Sequence, residues 1–248
     1  MNWCRKKINS GELSRGIFIV SDSTTQVEIP ARSGFDWLIL DMEHGLSDEA
    51  AVKQQIAVIQ RFTPAPIIRI PALKTHIIKR VLDYGAAGIM CPMVANADEA
   101  RKLVSAMRYP PAGVRGLSGG SMAAGFGLDF QDYFAMANTG ILSVAQIETR
   151  AGLEAAEEIA AVDGIDVLFI GHSDLSLNLG CHNDFTNPEI LNAEKIVVEA
   201  CRKHGKTAGM LLKSSMDIRE YTNRGFKFMA QGTDLGLLRN ALAKLPVL

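Results

Sequence analysis

The chain has 248 residues, of which 48% are hydrophobic and 21% are charged, a balance typical of a water-soluble globular domain. Its formal net charge of −1 gives no electrostatic reason to expect binding to nucleic acid or to an anionic membrane. No segment has the run of about 20 apolar residues that a membrane-spanning helix needs.

The cysteines are scattered along the chain and form no CxxC pair; they are Cys4, Cys91, Cys181 and Cys201. This spacing favours free thiols in a reducing compartment over disulfides or a thiolate metal site. The amino-terminal stretch is charged and lacks the apolar run of a secretory signal. We therefore expect a cytoplasmic protein.

Short runs of β-branched and apolar residues, each followed by a turn, predict eight β-strands in chain order. The predicted strands are 16–21, 35–43, 66–72, 88–94, 141–148, 164–171, 207–212 and 227–234. The connection after the first strand is the least regular, because Pro30 interrupts it.

Helical periodicity and capping residues predict helices between these strands. Predicted helices include 47–62, 96–109 and 187–205. Ser47 is the expected N-cap of the first and Asn96 of the second, whereas the third has Pro188 at its first position and ends at Gly205.

Strand and helix alternate about eight times over a length close to the ~250 residues typical of a (β/α)8 TIM barrel. We therefore predict that residues 1–248 form a single α/β domain with this fold. The competing arrangement is an open doubly wound sheet, which usually carries a GxGxxG turn after the first strand. The sequence there reads SDSTTQ instead, which favours the barrel.

Polar residues follow several of the predicted strands, at the end where TIM barrels carry their chemistry. They are Asp41, Glu43 and His44 after the second strand, Arg69 in the third, Gln146 and Glu148 in the fifth, and His172, Ser173 and Asp174 after the sixth. Such convergence indicates an enzyme. The alternative is a barrel that binds a carboxylate or a protein partner without turnover.

Glu148 and Asp174 are the predicted metal ligands, because two carboxylates from neighbouring strand ends suit a hard cation such as Mg²⁺ or Mn²⁺. Water and substrate oxygens would complete the coordination. The alternatives are that Glu148 caps the following helix or pairs with Arg150, and that Asp174 begins a turn.

Arg69 lies in an apolar strand, where an unpaired guanidinium would be costly. It is expected to pair with Asp41 or Glu43, to bind a substrate oxyanion or carboxylate, or to do both. His44 shares the strand-end region with these acids and is the candidate general base.

Two other features have weaker functional interpretations. Lys213, after the seventh strand, is a candidate for a Schiff base with a keto acid in a metal-free aldolase, which requires a lowered lysine pKa. The Gly-rich segment 109–127 lacks the GxxxxGK[ST] pattern of a phosphate-binding loop. It is expected to be a flexible loop at the carboxyl-end face of the barrel or a subunit contact.

Almost the whole chain resembles the HpcH/HpaI family of class II, metal-dependent 2-keto-acid aldolases, of the 4-hydroxy-2-oxoheptanedioate or 2-dehydro-3-deoxyaldarate type. The resemblance rests on an ordered set of motifs: GFDWLILDMEHG, IIRIP, LDYGAAGIMCPMVANADEAR, YPPAGVRG, QIETRAG, IGHSDLSLNLG and GFKFMAQGTD. It implies a (β/α)8 barrel, a hexamer, and cleavage of a 4-hydroxy-2-keto acid into pyruvate and an aldehyde through a metal-stabilised enolate. Decarboxylation or other enolate chemistry on oxaloacetate-like acids is the alternative at the same site.

The resemblance also implies the binding residues. Glu148 of QIET and Asp174 of SDLS would bind a divalent cation (Mg²⁺, Mn²⁺ or Co²⁺). Gln146, Arg69, Asp174 and the backbone around Ser173 would bind the pyruvate part of the substrate. The aldehyde part is left undefined.

The catalytic roles implied by the resemblance fall on three residues. His44 of DMEHG would act as the base, and Arg69 would stabilise the enolate. Asp83 of LDYG would raise the basicity of a histidine, in a contact that comes from a neighbouring chain of the hexamer. The sequence departs from many members at His172, where they have proline, so that a larger polar group stands near the site.

Overall fold

The structure is a computed structural model that describes residues 3–213 and 216–246. Eight parallel strands close into a barrel in the order β1 to β8, which confirms the predicted (β/α)8 TIM barrel. The strands are β1 (Ser14–Ile19), β2 (Trp37–Asp41), β3 (Ala65–Arg69), β4 (Gly88–Cys91), β5 (Leu142–Ile147), β6 (Val167–Ile170), β7 (Thr207–Leu211) and β8 (Phe226–Thr233).

Helices surround the barrel and lie mainly between successive strands. They are α1 (Trp3–Asn9), α2 (Thr24–Ala31), α3 (Glu49–Ile59), α4 (Thr75–Asp83), α5 (Ala97–Met107), α6 (Phe130–Gly140), α7 (Arg150–Glu154), α8 (Ala156–Ala161), α9 (His172–Asn178), α10 (Pro188–Lys203), α11 (Ile218–Arg224) and α12 (Asp234–Leu242). No helix in the described ranges is long and apolar enough to cross a membrane.

The capping predictions are correct for α5 and wrong for α3. Asn96 accepts a hydrogen bond from the Glu99 backbone N–H, as an N-cap does. At α3 the cap is Asp48, whose carboxylate accepts from Ala51 N–H. Ser47 is buried instead, and its hydroxyl donates toward the Ser21 carbonyl at 3.2 Å. Because α3 begins at Glu49, Ser47 lies one residue too early to cap it.

The structure shows how two prolines, Pro188 and Pro30, are placed relative to the helices. Pro188 occupies the first position of α10, and Asn187 caps that helix, which confirms the predicted start. Pro30 lies inside α2 near its carboxyl end, so the interrupted connection after β1 still contains a helix.

Alternate residues of each strand face the barrel interior, where they form an apolar core distinct from the layer between strands and helices. Phe18, Trp37, Ile67 and Phe169 belong to this interior core. Toward the carboxyl ends of the strands, the residues at these interior positions are polar. The polar site is thus the top layer of the barrel interior.

Gly16 shows how tightly this interior is packed, because a Cβ atom there would lie 2.0 Å from the ring of Trp37. That ring stacks on Phe228 with centroids 4.0 Å apart, so it has little room to move. We expect Gly16→Ala to destabilise the protein by roughly 1–3 kcal/mol, measured as a lower Tm. Gly140→Ala is the matched control, since its Cβ would meet nothing within 4 Å. Equal Tm values for both variants would contradict this packing argument.

Segment 109–127 does not line the carboxyl-end cavity, so the prediction that places it at that face is wrong, whereas the alternative of a subunit contact stays a prediction. Helix α5 runs back toward the amino-terminal ends of the strands, and the segment therefore starts at the opposite face. Its residue Arg115 is buried and donates to Asp83 at 2.9 Å and to Tyr133 at 2.7 Å. The segment thus packs against the end of α4.

Cys91, Cys181 and Cys201 are buried free thiols, and the side chain of Cys4 lies outside the described residues. Burial raises the pKa of Cys91 and of Cys201 to about 12, so both remain protonated and unreactive near neutral pH. These thiols contribute to packing in the layer between strands and helices.

Candidate active site

A cavity of about 270 Å³ opens at the carboxyl ends of the strands. It brings together most of the side chains that the sequence singled out: its walls include His44, Arg69, Gln146, Ser173 and Asp174. Glu148, which is 1% exposed, lies directly beside it. A Cβ atom on Gly171, a wall residue, would be 2.3 Å from Glu148 Oε2.

Arg69, the last residue of β3, is held by two carboxylates at the end of the neighbouring strand β2. Its Nε and Nη2 donate to the two oxygens of Asp41 at 2.8 and 2.6 Å, a bidentate pair. Its Nη1 lies 3.1 Å from Glu43 Oε2. Burial lowers the pKa of Arg69, but the hydrogen bond and charge of Asp41 outweigh it and raise that pKa above its ordinary value. The guanidinium is therefore a fixed positive charge in the cavity wall.

Parallel register explains why these groups meet. Asp41 and Arg69 are paired positions of β2 and β3, so their side chains leave the sheet on the same face. Asp41 also accepts the backbone N–H of Glu43 at 3.0 Å and of His44 at 3.2 Å. One carboxylate thus fixes both the guanidinium and the loop that carries the candidate base.

His44 is exposed on this loop, and its Nε2 is 3.9 Å from Glu43 Oε2. The turn needs glycine at the next position, since a Cβ on Gly45 would lie 2.1 Å from the Asp41 carbonyl oxygen. An exposed imidazole on the cavity wall can exchange protons with both substrate and solvent.

Glu148 is a buried carboxylate with two different partners. Its Oε1 accepts from the Met93 backbone N–H at 2.7 Å, and its Oε2 accepts from Gln146 Nε2 at 2.5 Å. Burial raises the pKa of Glu148 to about 7, although the Met93 hydrogen bond opposes this rise. The charges of Glu43 and Asp174 raise it further, which shows that these carboxylates act on one another.

The donor set fits a divalent cation. The carboxylates of Asp41, Glu43, Glu148 and Asp174 interact around the guanidinium of Arg69, so negative charge is in excess among these groups. A cation between Glu148 and Asp174 would offset that excess. Among residues 3–213 and 216–246, no set of three or more His, Cys, Asp or Glu side chains is arranged to hold a metal. Two protein carboxylates with water and substrate oxygens are what Mg²⁺ commonly uses.

Only one of the two polar atoms of the Gln146 amide has a hydrogen-bond partner among the described residues. Its Nε2 donates to Glu148, whereas its Oε1 is buried without a hydrogen-bond partner. A buried acceptor of this kind normally has a partner, so a ligand or a water molecule is expected there. Gln146 lies two residues before Glu148 on the same interior face of β5, as the alternation of strand side chains predicts.

Asp83 is not part of this cavity within one chain. It ends α4, and because β4 begins only five residues later it lies toward the amino-terminal ends of the strands. Its carboxylate pairs with the buried guanidinium of Arg115 at 2.9 Å. The action of Asp83 on a histidine of a neighbouring chain stays a prediction, as does the hexamer that it requires.

Sequence reasoning missed Met93 and Phe185, which shape the cavity together with the predicted Lys213. The backbone N–H of Met93 binds Glu148 from a residue with φ of 55°, a conformation that no motif in the sequence signals. Phe185 contributes an aromatic wall, and Lys213 Nζ lies 3.7 Å from the centre of its ring. Partial burial lowers the pKa of Lys213. Lys213 is therefore part of the same cavity as the carboxylates.

Comparison with known proteins places the chain among enzymes. The family model described as HpcH/HpaI aldolase/citrate lyase matches residues 14–241. A hydroxypyruvate/pyruvate aldolase of Roseovarius nubinhibens is 38% identical over 247 residues, which is 98% of this chain and 96% of that protein. A 5-keto-4-deoxy-D-glucarate aldolase of Enterobacter sp. (strain 638) is 37% identical, over 94% of this chain and 91% of that protein.

The fold comparison agrees with the sequence comparison. The crystal structure of an HpcH/HpaI aldolase/citrate lyase family protein from Burkholderia cenocepacia J2315 superposes with a TM-score of 0.94. The two proteins are 31% identical, and the match covers 98% of this chain and 97% of that one. The barrel, its polar carboxyl-end layer and these full-length matches show that the chain is a member of the HpcH/HpaI aldolase/citrate lyase family.

Proposed function

We propose that the protein is a divalent-metal-dependent aldolase that reversibly cleaves a 4-hydroxy-2-keto acid into pyruvate and an aldehyde. Membership of the family supports carbon–carbon lyase activity. The observation that carries the finer proposal is the shared cavity: paired carboxylates, a fixed guanidinium and an exposed imidazole meet at one face of the barrel. Glu148 and Asp174 would hold the cation, which when bound supplies Lewis-acid stabilisation of negative charge on the keto acid.

The proton transfer and the stabilisation of the enolate are assigned to residues of the chain. His44 takes the proton from the 4-hydroxyl group of the substrate, and the C3–C4 bond breaks to release the aldehyde. The electron pair of that bond passes to the pyruvate fragment as its enolate. Arg69 neutralises the charge on the enolate oxygen, and Gln146 contacts the keto acid through a water molecule that donates to its open amide oxygen. Protonation of the enolate then gives pyruvate.

The test is pyruvate release from racemic 4-hydroxy-2-ketoheptanedioate, coupled to lactate dehydrogenase. We expect EDTA to abolish activity and Mg²⁺, Mn²⁺ or Co²⁺ to restore it, because a buried carboxylate and a half-buried one beside it suit a cation. Activity that survives EDTA but is lost on borohydride treatment with substrate would overturn the metal proposal. It would assign the chemistry to Lys213 instead.

Decarboxylation of an oxaloacetate-like acid is the second use of the same cavity. It forms the same enolate but requires no base at a 4-hydroxyl group, so the two reactions depend differently on His44. Turnover of oxaloacetate and of the 4-hydroxy-2-keto acid should therefore be compared in the wild type and in His44→Ala. Aldol cleavage lost in the variant while decarboxylation persists supports the aldolase assignment. Faster oxaloacetate turnover in the wild type would favour the decarboxylase.

A further inference from the structure

A carboxylate that the proposed steps do not use joins β8 to β1 at their carboxyl ends. Asp234 directly follows β8, is the first residue of α12 and is half-buried. Its Oδ1 accepts the Val20 backbone N–H at 2.8 Å. Its Oδ2 accepts the Ser21 backbone N–H at 3.2 Å and the Ser21 hydroxyl at 2.6 Å. Asp234 thus fixes the two residues that follow β1.

The carbonyl groups of the same two residues accept hydrogen bonds from the segment that follows β2. The Val20 carbonyl accepts the Leu46 backbone N–H at 2.8 Å. The Ser21 carbonyl accepts from Nε2 of Gln55, a buried residue of α3, at 2.8 Å. These bonds lie beyond the paired residues of β1 and β2, so they extend the connection between the two strands past their carboxyl ends.

Leu46 belongs to the loop that carries His44, the candidate base. Asp41 accepts the His44 backbone N–H at the start of this loop at 3.2 Å, and the Val20 carbonyl holds the end of the loop at Leu46. The side chain of His44 is 64% exposed, so few contacts of its own determine where the ring lies. The position of the imidazole therefore depends on how firmly both ends of the loop are fixed.

We infer that Asp234 is a positioning residue for His44: it fixes the chain after β1, and that chain in turn fixes the end of the loop that carries the base. The inference rests on the proposed aldolase function, in which His44 takes the proton from the 4-hydroxyl group. Val20 and Thr233, the neighbours of this carboxylate on β1 and β8, line the cavity. Asp234 itself does not line it, so its effect on the reaction passes through the loop.

Hydrogen–deuterium exchange of the whole protein, followed by mass spectrometry, tests this link without any turnover. Asp234→Asn keeps the size of the side chain but places an NH₂ group opposite the donors of either Val20 or Ser21. We expect peptides that cover residues 42–47 to exchange about 10-fold faster in this variant. Exchange at the wild-type rate would overturn the inference. Asp36→Asn is the matched control, because Asp36 accepts a backbone N–H at the opposite end of β1, and it should leave that exchange unchanged.

A double-variant cycle tests whether the effect on the reaction passes through His44. We expect Asp234→Asn to lower kcat for cleavage of the 4-hydroxy-2-keto acid by about 10-fold with little change in KM, because the base is displaced. In His44→Ala the same substitution should change the residual kcat by less than about twofold, since the group that it positions is gone. Equal fold-losses in both backgrounds would overturn the inference, because they indicate a general effect on the barrel.

The two measurements separate this inference from the proposed function. A wild type that cleaves no 4-hydroxy-2-keto acid refutes the aldolase, and the exchange measurement still decides whether Asp234 fixes the loop. An active wild type whose loop exchange is unchanged in Asp234→Asn refutes the positioning role alone.

Ser21→Ala provides a second variant should Asp234→Asn fail to fold, as judged by circular dichroism. It removes only the hydroxyl contact to Asp234 Oδ2 and keeps both backbone contacts. We expect the exchange of residues 42–47 to rise by about threefold, the effect of one lost hydrogen bond out of three. Exchange at the wild-type rate in Ser21→Ala would count against the inference independently of the Asp234 result.

Discussion

Replacing Glu148 by Gln should lower kcat/KM for pyruvate release by about 10³-fold or more, the largest effect on activity that we expect from a single substitution. The amide keeps the size of the side chain and can still accept from the Met93 N–H. It loses the negative charge that a cation requires, and its amide nitrogen would face Gln146 Nε2 or the metal position. Steady-state kinetics with saturating Mn²⁺ measures the loss.

A binding measurement keeps this prediction independent of turnover. Mn²⁺ at 100 times its Kd should stabilise the wild type by about 2.7 kcal/mol and raise its Tm, whereas Glu148→Gln should show little shift. Without metal, the variant should be at least as stable as the wild type, because a charge has been removed from a cluster of carboxylates. Glu157→Gln, on the exposed surface of α8, is the matched control. A full Mn²⁺ shift in Glu148→Gln would rule out this ligand.

Replacing Arg69 by Met should have the largest effect on stability, about 3–5 kcal/mol, as expected when one partner of a buried ion pair is removed. Asp41, which is 1% exposed, would lose a bidentate partner, and Glu43 would lose its nearest cation. Thermal or urea unfolding measures this change. Pyruvate methyl exchange should fall by about 10²-fold or more, because the positive charge at the enolate is gone.

A double variant separates these two effects. Asp41→Asn combined with Arg69→Met removes the stranded charge while an amide oxygen can still accept from the Glu43 and His44 N–H groups. We expect it to regain part of the lost stability but none of the lost exchange activity. Arg32→Met, which breaks an exposed pair with Glu28, should change neither quantity. Recovery of activity in the double variant would show that Arg69 acts only as a structural partner.

The sequence predicts the barrel well because its signals are repeated eight times. Apolar runs followed by polar strand ends identify the end of β5 and the start of α9 after β6, and with them Glu148 and Asp174. Helix and strand ends are less well predicted. Ser47 precedes the true cap by one residue, and its buried hydroxyl donates to the carbonyl of Ser21, which is 26 residues away.

The remaining features depend on distant parts of the chain. Glu194 looks like an ordinary acid of an amphipathic helix, but α10 turns it inward to His172 and Arg224. Met93 contributes only its backbone, so its side-chain identity carries no signal for the site. Asp83 was singled out only by resemblance, and the contact that the structure shows for it is with Arg115.

The separation of the cavity walls has a practical consequence for biocatalysis. The groups proposed to generate the enolate stand at the carboxyl ends of β2, β3, β5 and β6, whereas Phe185 belongs to the connection between α9 and α10, and Lys213 follows β7. A small library at positions 185 and 213 would therefore vary the acceptor wall and leave the strands that carry pyruvate chemistry intact. Screening this library against aldehydes of graded length would identify variants of one barrel that form carbon–carbon bonds with different aldehydes.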